Sequence, residues 1–151
     1  MPASKVESGQ SALCLEILDD LPEWFGIPET KVHYAAAAAA MPMFAYYKKD
    51  EPAGFVTLKV QTRFAVEIYV LGVKRRFHRQ GIGHALVQAV LTFAAEKKLR
   101  YITVKTIAPA KTDEYYARTR KFYEAVGFTP IEVFPTLWGE ANPCVMMIRP
   151  V

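Results

Sequence analysis

From Ile82 onward the apolar residues recur as Ile82, Ala85, Leu86, Ala89, Val90, Phe93 and Ala94, the three-and-four spacing that gives a helix one apolar stripe. On either side lie runs rich in β-branched and aromatic residues, Phe64 to Val73 and Tyr101 to Ile107, which read as strands. Strand, loop, helix and strand make a β-α-β unit, and its two strands should lie parallel because the crossover returns the chain to the end where it started. Gly72, near the end of the first of these strands, marks a place for a bulge or a close backbone approach.

The same reading extends to both ends of the chain. Met43 to Tyr47 and Gly54 to Val60 are β-rich and separated by the polar turn Lys48 to Ala53, so they predict an antiparallel hairpin. Before them, Glu29 to Met41 holds the alanine tract Ala35 to Ala40 and stops at Pro42, as a short helix would. Leu13 to Leu18 is apolar enough for an opening strand, and Leu21 to Pro28 is a proline-punctuated, aromatic loop or broken helix. A second amphipathic helix is expected over about Asp113 to Val126, ended by Gly127. Two closing strands, about Phe128 to Phe134 and Cys144 to Ile148, flank a loop carrying Pro135, Trp138, Gly139, Asn142 and Pro143. The fold class is therefore α/β, a mixed sheet with helices on both faces. With no repeat and no break in composition, residues 1–151 read as a single domain.

Composition adds bounds. Of 151 residues 52% are hydrophobic and 23% charged, a globular balance. The opening Met1 to Ser8 has no apolar core of signal-peptide length, and no stretch reaches the roughly 18 apolar residues of a membrane helix. A cytoplasmic location without membrane contact is the expectation. Cys14 and Cys144 match no metal-ligand or redox spacing, so no metal is expected. The formal charge of +4 is mild, but Lys74, Arg75, Arg76 and Arg79 crowd six positions, making an electropositive loop ahead of the long helix.

That loop continues into His78-Arg79-Gln80-Gly81-Ile82-Gly83. A helix N-terminus offers unpaired N–H groups and partial positive charge, and Gly81 and Gly83, lacking Cβ atoms, let a backbone approach an anion. A phosphate-bearing ligand is the natural candidate, although a Gly-X-Gly before a helix also serves as a plain tight turn. The dinucleotide fingerprint fails at Leu86, where a third glycine or alanine belongs, and the Gly-Lys-Ser/Thr of the P-loop is absent.

This segment resembles the loop of the GNAT superfamily of N-acetyltransferases, Arg/Gln-X-X-Gly-X-Gly/Ala between a long strand and a helix, with His78 standing where Arg or Gln is usual. Lys121-Phe122-Tyr123-Glu124-Ala125-Val126-Gly127-Phe128 is similar to the family's aromatic-Tyr-X-X-X-Gly-Phe segment. Thr119 and Tyr116 stand where the family often has Ala and Asn. The resemblance implies a sheet splayed between the long strand and the next, with acetyl-CoA in the gap. Its pantetheine arm would pair with backbone groups of Leu71, Gly72 and Val73, and its pyrophosphate would meet Arg79, Gln80, Gly81, Ile82, Gly83 and His84, with His78 alongside.

Acetyl transfer to an amine needs a base, an oxyanion donor and an acid for the departing thiolate. Tyr123 matches the family tyrosine that faces the sulfur and is the candidate acid. Glu67, alone on an apolar strand, resembles the glutamate base of some members, acting directly or through water. Strand alternation would put it on one face with Tyr69 and Leu71, and an N–H near Leu71 would serve as oxyanion donor. By the same resemblance the acceptor, a small-molecule amine, would meet Trp24, Phe25, Trp138 and Asn142, although such aromatics equally suit a homodimer contact or a core plug. Asp19, Asp20, Glu23 and Glu29 hint at a cationic acceptor and equally suit a solvated helix start. Two rival readings are an acyl-CoA sensor without catalysis and a nucleic-acid module built on Lys74 to Arg79 with Phe77 as a stacking residue. Against the second, one basic loop is a small footprint, so no nucleic-acid partner is expected.

Overall fold

The computed structural model describes residues 3–6 and 10–151. Its elements in chain order are β1 (Ser4–Val6), α1 (Ser11–Asp19), α2 (Pro28–Ala38), β2 (Met43–Lys48), β3 (Glu51–Val60), β4 (Ala65–Val73), α3 (Ile82–Glu96), β5 (Tyr101–Ile107), α4 (Glu114–Ala125), β6 (Thr129–Phe134) and β7 (Cys144–Pro150). One seven-stranded sheet runs in the order β1-β2-β3-β4-β5-β7-β6. Every neighbouring pair is antiparallel except β4 and β5, which are parallel as the β-α-β reading expects.

The opening strand expected at Leu13 to Leu18 is instead α1. Its buried residues are Leu13, Cys14, Ile17 and Leu18, two adjacent pairs four apart, which is one stripe of a helix and not the alternation of a strand. Apolar content alone does not separate the two, and the short run hid the period. The hairpin is tighter than expected: β2 and β3 leave only Lys49 and Asp50 between them, at φ +47° and +69°, the left-handed pair that matches strand twist in a two-residue turn.

The sheet divides the core in two. On one face α3 lays Ile82, Leu86, Val90 and Phe93 onto Val56, Leu58, Val66, Ile68, Ile102 and Val104, and α4 adds Tyr123 and Val126. On the other, Ile17 and Leu18 of α1 and Ala35 and Ala38 of α2 cover Met43, Ala45, Phe55 and Val70. Gly72 lies beneath α1: a Cβ there would sit 3.3 Å from Ile17, Leu21 and Phe55 side chains, so the expected close approach is real and is made by side chains.

β4 changes phase along its length. Thr57 pairs with Val70 while Leu58 pairs with Ile68, leaving Tyr69 as the extra residue of a β-bulge, which bends and further twists the strand. Before it Val66 and Ile68 face α3, and after it Leu71 and Val73 do. Glu67 and Tyr69 therefore do not share a face with Leu71, as strict alternation would have it. Directly before the bulge, pairing with β5 also ends: the last partners are Ile68 and Val104. Beyond them the two strands part, and the fork opens toward the N-terminus of α3.

The α3–α4 contact rests on Gly83. A Cβ there would lie 2.8 Å from Cε1 of Phe122, a distance that forces displacement. Gly83→Ala gains helix propensity yet should lower the unfolding free energy by about 1–2 kcal/mol. In a Phe122→Leu background the same change should be neutral or stabilising. Urea unfolding of the four proteins checks this; a Gly83→Ala that stabilises the unaltered chain contradicts the contact.

Candidate active site

Past Ile68, β4 keeps β3 on one edge as far as Val73 and has no strand on the other. At the mouth of this fork, α3 begins at Gly81, whose φ is +80°, with no side chain capping the first turn. Space above Gly81 is open, with nothing within 4 Å of a would-be Cβ. Arg79, two residues before, is also left-handed, at φ +61°. Gly81 leaves the space before the helix open, whereas at Gly83 a Cβ would meet the Phe122 ring.

The basic loop is less free than its composition implies. Lys74 is ion-paired with Glu16 and Glu51, Arg75 with Glu23, and Arg76 with Glu51; the Arg75 N–H also donates to Asp20 at 2.7 Å. These pairs fasten the segment to α1, the following loop and β3. They also consume Asp20 and Glu23, while Asp19 holds Lys31 at 2.8 Å, so these acids do not form a free cation-binding face. His78 bonds through Nε2 to the Val73 carbonyl at 2.6 Å, pinning the loop to the end of β4; since a carbonyl only accepts, Nε2 carries the proton. Arg79, Gln80 and His84 lie exposed along the mouth, with His84 edge-on to Phe122 at 5.8 Å between ring centroids.

At the base of the fork sits Glu67, 6% exposed. Its Oε1 accepts from Gln61 at 2.7 Å and its Oε2 from Lys105 Nζ at 2.7 Å. Lys105 is the first residue of β5 beyond the last β4–β5 pair. The signal that singled out Glu67, a lone charge on an apolar strand, applies equally to Lys105 between Val104 and Thr106, and would have found it. Around this pair stand phenols. Tyr34 and Tyr69 meet edge to face at 5.5 Å, and His33 bonds the Tyr69 hydroxyl at 3.1 Å. Burial pushes both phenols above their ordinary value, followed by the Glu67 charge for Tyr69 and by Tyr69 and then Glu67 for Tyr34.

Trp24 spans the fork. Its Nε1 donates to Thr119 Oγ1 at 3.0 Å and to the Tyr115 carbonyl at 3.2 Å, and its own carbonyl accepts from the Tyr116 hydroxyl at 2.7 Å. Its ring stands edge-on to Tyr115 and to His78, at 5.1 and 5.9 Å. Thr119 and Tyr116, which the resemblance set at the cofactor's side, hold this tryptophan. Burial first, then Tyr34 and Asp113, push the Tyr116 phenol up to about 12. Phe25 stands edge-on to Tyr34 at 5.9 Å.

Tyr123 lies in the α3-side core between Phe122 and Phe128, and burial raises its phenol well above the ordinary value. Trp138 and Asn142 belong to the β6–β7 loop, at the end of the sheet where the fork opens. Trp138 is exposed, and Asn142 accepts from Lys111 at 2.9 Å. Thus Trp24, Phe25 and Glu67 gather around one aromatic basin, while Trp138 and Asn142 form a separate lip with Lys111. Among the described residues no helix is long and apolar enough to cross a membrane.

The profile of the acetyltransferase (GNAT) family matches residues 12–128, and the chain belongs to that family of N-acetyltransferase enzymes. Solved structures agree on the fold. A GNAT-family acetyltransferase from Desulfovibrio desulfuricans superimposes with a TM-score of 0.85 at 17% identity, over 98% of this chain and 97% of that one. An aminoglycoside 6'-N-acetyltransferase complexed with coenzyme A gives 0.78 at 18% identity, over 99% and 97%. The ribosomal-protein-S18-alanine N-acetyltransferase from Escherichia coli gives 0.76 at 18% identity, over 99% and 92%. Comparison with curated protein sequences yields no match.

Removing the Lys105 ammonium leaves a buried carboxylate with one partner. Lys105→Met should cost about 1–3 kcal/mol, toward the lower value because the lysine side chain is 27% exposed. Glu67→Gln in the same chain should recover most of that loss. A denaturant double-mutant cycle with additive single effects contradicts the pairing.

Proposed function

We propose that the enzyme moves the acetyl group of acetyl-CoA directly to a primary amine of a small-molecule acceptor, within a ternary complex. The observation that carries this reading is the fork between β4 and β5 running into the uncapped first turn of α3. An extended arm bearing amides fits beside unpaired strand backbone at Leu71, Gly72 and Val73, and a pyrophosphate fits the concavity at Arg79, Gln80, Gly81, Ile82, Gly83 and His84. When bound, acetyl-CoA supplies an activated acyl thioester. The chain's own contribution is to hold the arm, to exclude water with Trp24 and the tyrosines, and to manage protons.

In this reading Glu67 takes the proton of the attacking amine, directly or through water, and the developing oxyanion is met by a β4 N–H near Leu71. Tyr123 donates to the departing sulfur. Its burial keeps the phenol protonated at neutral and moderately alkaline pH, at the cost of making proton release to a thiolate less favourable, so its bond to sulfur matters more than full transfer. The acceptor enters over the basin of Trp24, Phe25, Tyr34 and Tyr69, with the Trp138–Asn142 lip beyond it. Support for a small acceptor is that Trp24, in the wall of this basin, is tied to α4 by hydrogen bonds. The ion pairs of Lys74, Arg75 and Arg76 leave little basic surface for nucleic acid.

Calorimetric titration tests the cofactor directly: acetyl-CoA and CoA should bind one-to-one, and Gly81→Val, which forces a side chain into a left-handed position over the concavity, should weaken both by about tenfold or more. With an acceptor found by thiol-release screening over amine classes, Tyr123→Phe should lower kcat about 100-fold with little change in KM. The parent rate should show no loss from Tyr123 ionisation below about pH 10, because burial moves that ionisation upward. Full turnover by a folded Tyr123→Phe variant removes the acid role, and absence of thioester binding removes the reading.

A further inference from the structure

The amine already seated against the base of the fork is the chain's own. Lys105 Nζ lies 2.7 Å from Glu67 Oε2, one residue past the point where β4 and β5 separate, on the face shared by Glu67 and its register partner Thr103. Its side chain is 27% exposed, so it is held without being sealed. We infer that Lys105 is a self-acetylation site: with an acyl thioester in the fork and no acceptor present, the enzyme acetylates its own Lys105. This rests on the transferase reading above and goes beyond it, since the acceptor is a side chain of the protein itself.

A thioester is attacked by an amine that has given up a proton, and the base must stand within hydrogen-bond reach of that proton. For Lys105 this geometry is present before any ligand arrives. Glu67 Oε2 takes the proton from Nζ. The nitrogen lone pair forms a C–N bond to the acetyl carbonyl carbon, the C–S bond breaks, and the CoA thiolate leaves with its electron pair and takes up the second proton that Nζ sheds as the amide forms, while the proton on Glu67 passes to solvent. Nothing is oxidised or reduced, and the products are one Nε-acetyl-lysine and one CoA thiol. Among the described residues three other lysines are held outside the fork: Lys74 by Glu16 and Glu51 in the loop before α3, Lys31 by Asp19 on the helical face, and Lys111 by the amide oxygen of Asn142.

The product has a consequence for the site. Acetylation replaces the ammonium with a neutral amide, so Glu67 keeps Gln61 but loses its cation, and an incoming substrate ammonium can take that place. Lys105 is thus a stand-in for the acceptor, and its modification frees the carboxylate that the acceptor needs.

The full chain is incubated with acetyl-CoA and no added amine, then digested for peptide mass mapping, while calorimetry follows cofactor binding in parallel. The expected result is one acetyl group on Lys105, acquired at least about tenfold faster than on Lys74 or Lys111. Glu67→Gln should slow that labelling about 100-fold with binding retained, and Lys105→Arg should bind the cofactor and take no label at that position. Binding with Lys105 unlabelled, or label spread evenly over Lys74, Lys105 and Lys111, overturns this inference and leaves the transferase reading standing. Absence of binding overturns both.

Discussion

Parallel pairing between β4 and β5 lasts four residues and stops at Ile68 and Val104, and the site follows from that stop. An unpaired strand edge inside a protein is costly unless something else satisfies its backbone groups. Here the bulge at Tyr69 turns β4 away from β5 while β3 continues to hold its other edge as far as Gly54 and Val73. The result is a strand that is fixed on one side and vacant on the other, which is what an extended, amide-bearing ligand requires. The bulge also reverses the face of every later residue in β4, so Leu71 joins the α3 core while Glu67 and Tyr69 remain on the opposite face.

Charge and hydrogen bonding then lock the walls of the fork in place. Three of the basic residues ahead of α3 are tied to carboxylates of α1, its following loop and β3, and His78 is tied to the end of β4. These contacts convert what looks in the sequence like a cationic patch into a support for the first turn of α3, whose N–H groups no side chain caps. Trp24 supplies the opposite constraint by joining the α1–α2 loop to α4 through three hydrogen bonds. The Lys105–Glu67 pair joins β5 to β4 at the base of the gap, and Trp24 joins the loop to α4 beyond it.

Much of this was legible in the residues. The period of Ile82 to Ala94 and the β-branched runs around it gave the β-α-β unit, because those patterns reflect local geometry. Leu13 to Leu18 reads as a strand but is helical, since five apolar residues among six do not reveal whether their period is two or nearly four. Face assignment in β4 failed at Tyr69, because a bulge depends on how β3 pairs and leaves no mark on the strand itself. The Phe122 ring that Gly83 accommodates left no sign in the local sequence, since it lies 39 residues away (122 − 83). Lys105, Gln61 and the anchoring of Trp24 are long-range pairings of the same kind, although Lys105 carried a local sign in being a lone cation on an apolar strand.

The central claim, that the β4–β5 fork receives the thioester arm, is tested most directly by amide hydrogen exchange with and without acetyl-CoA. The account predicts slowed exchange confined to the second half of β4, at Leu71 to Val73, and to the turn from Gln80 to His84, with Ala65 to Ile68 unchanged because their partners are already in place. Protection that appears elsewhere on the sheet, or exchange in these two segments that is indifferent to saturating acetyl-CoA, contradicts it.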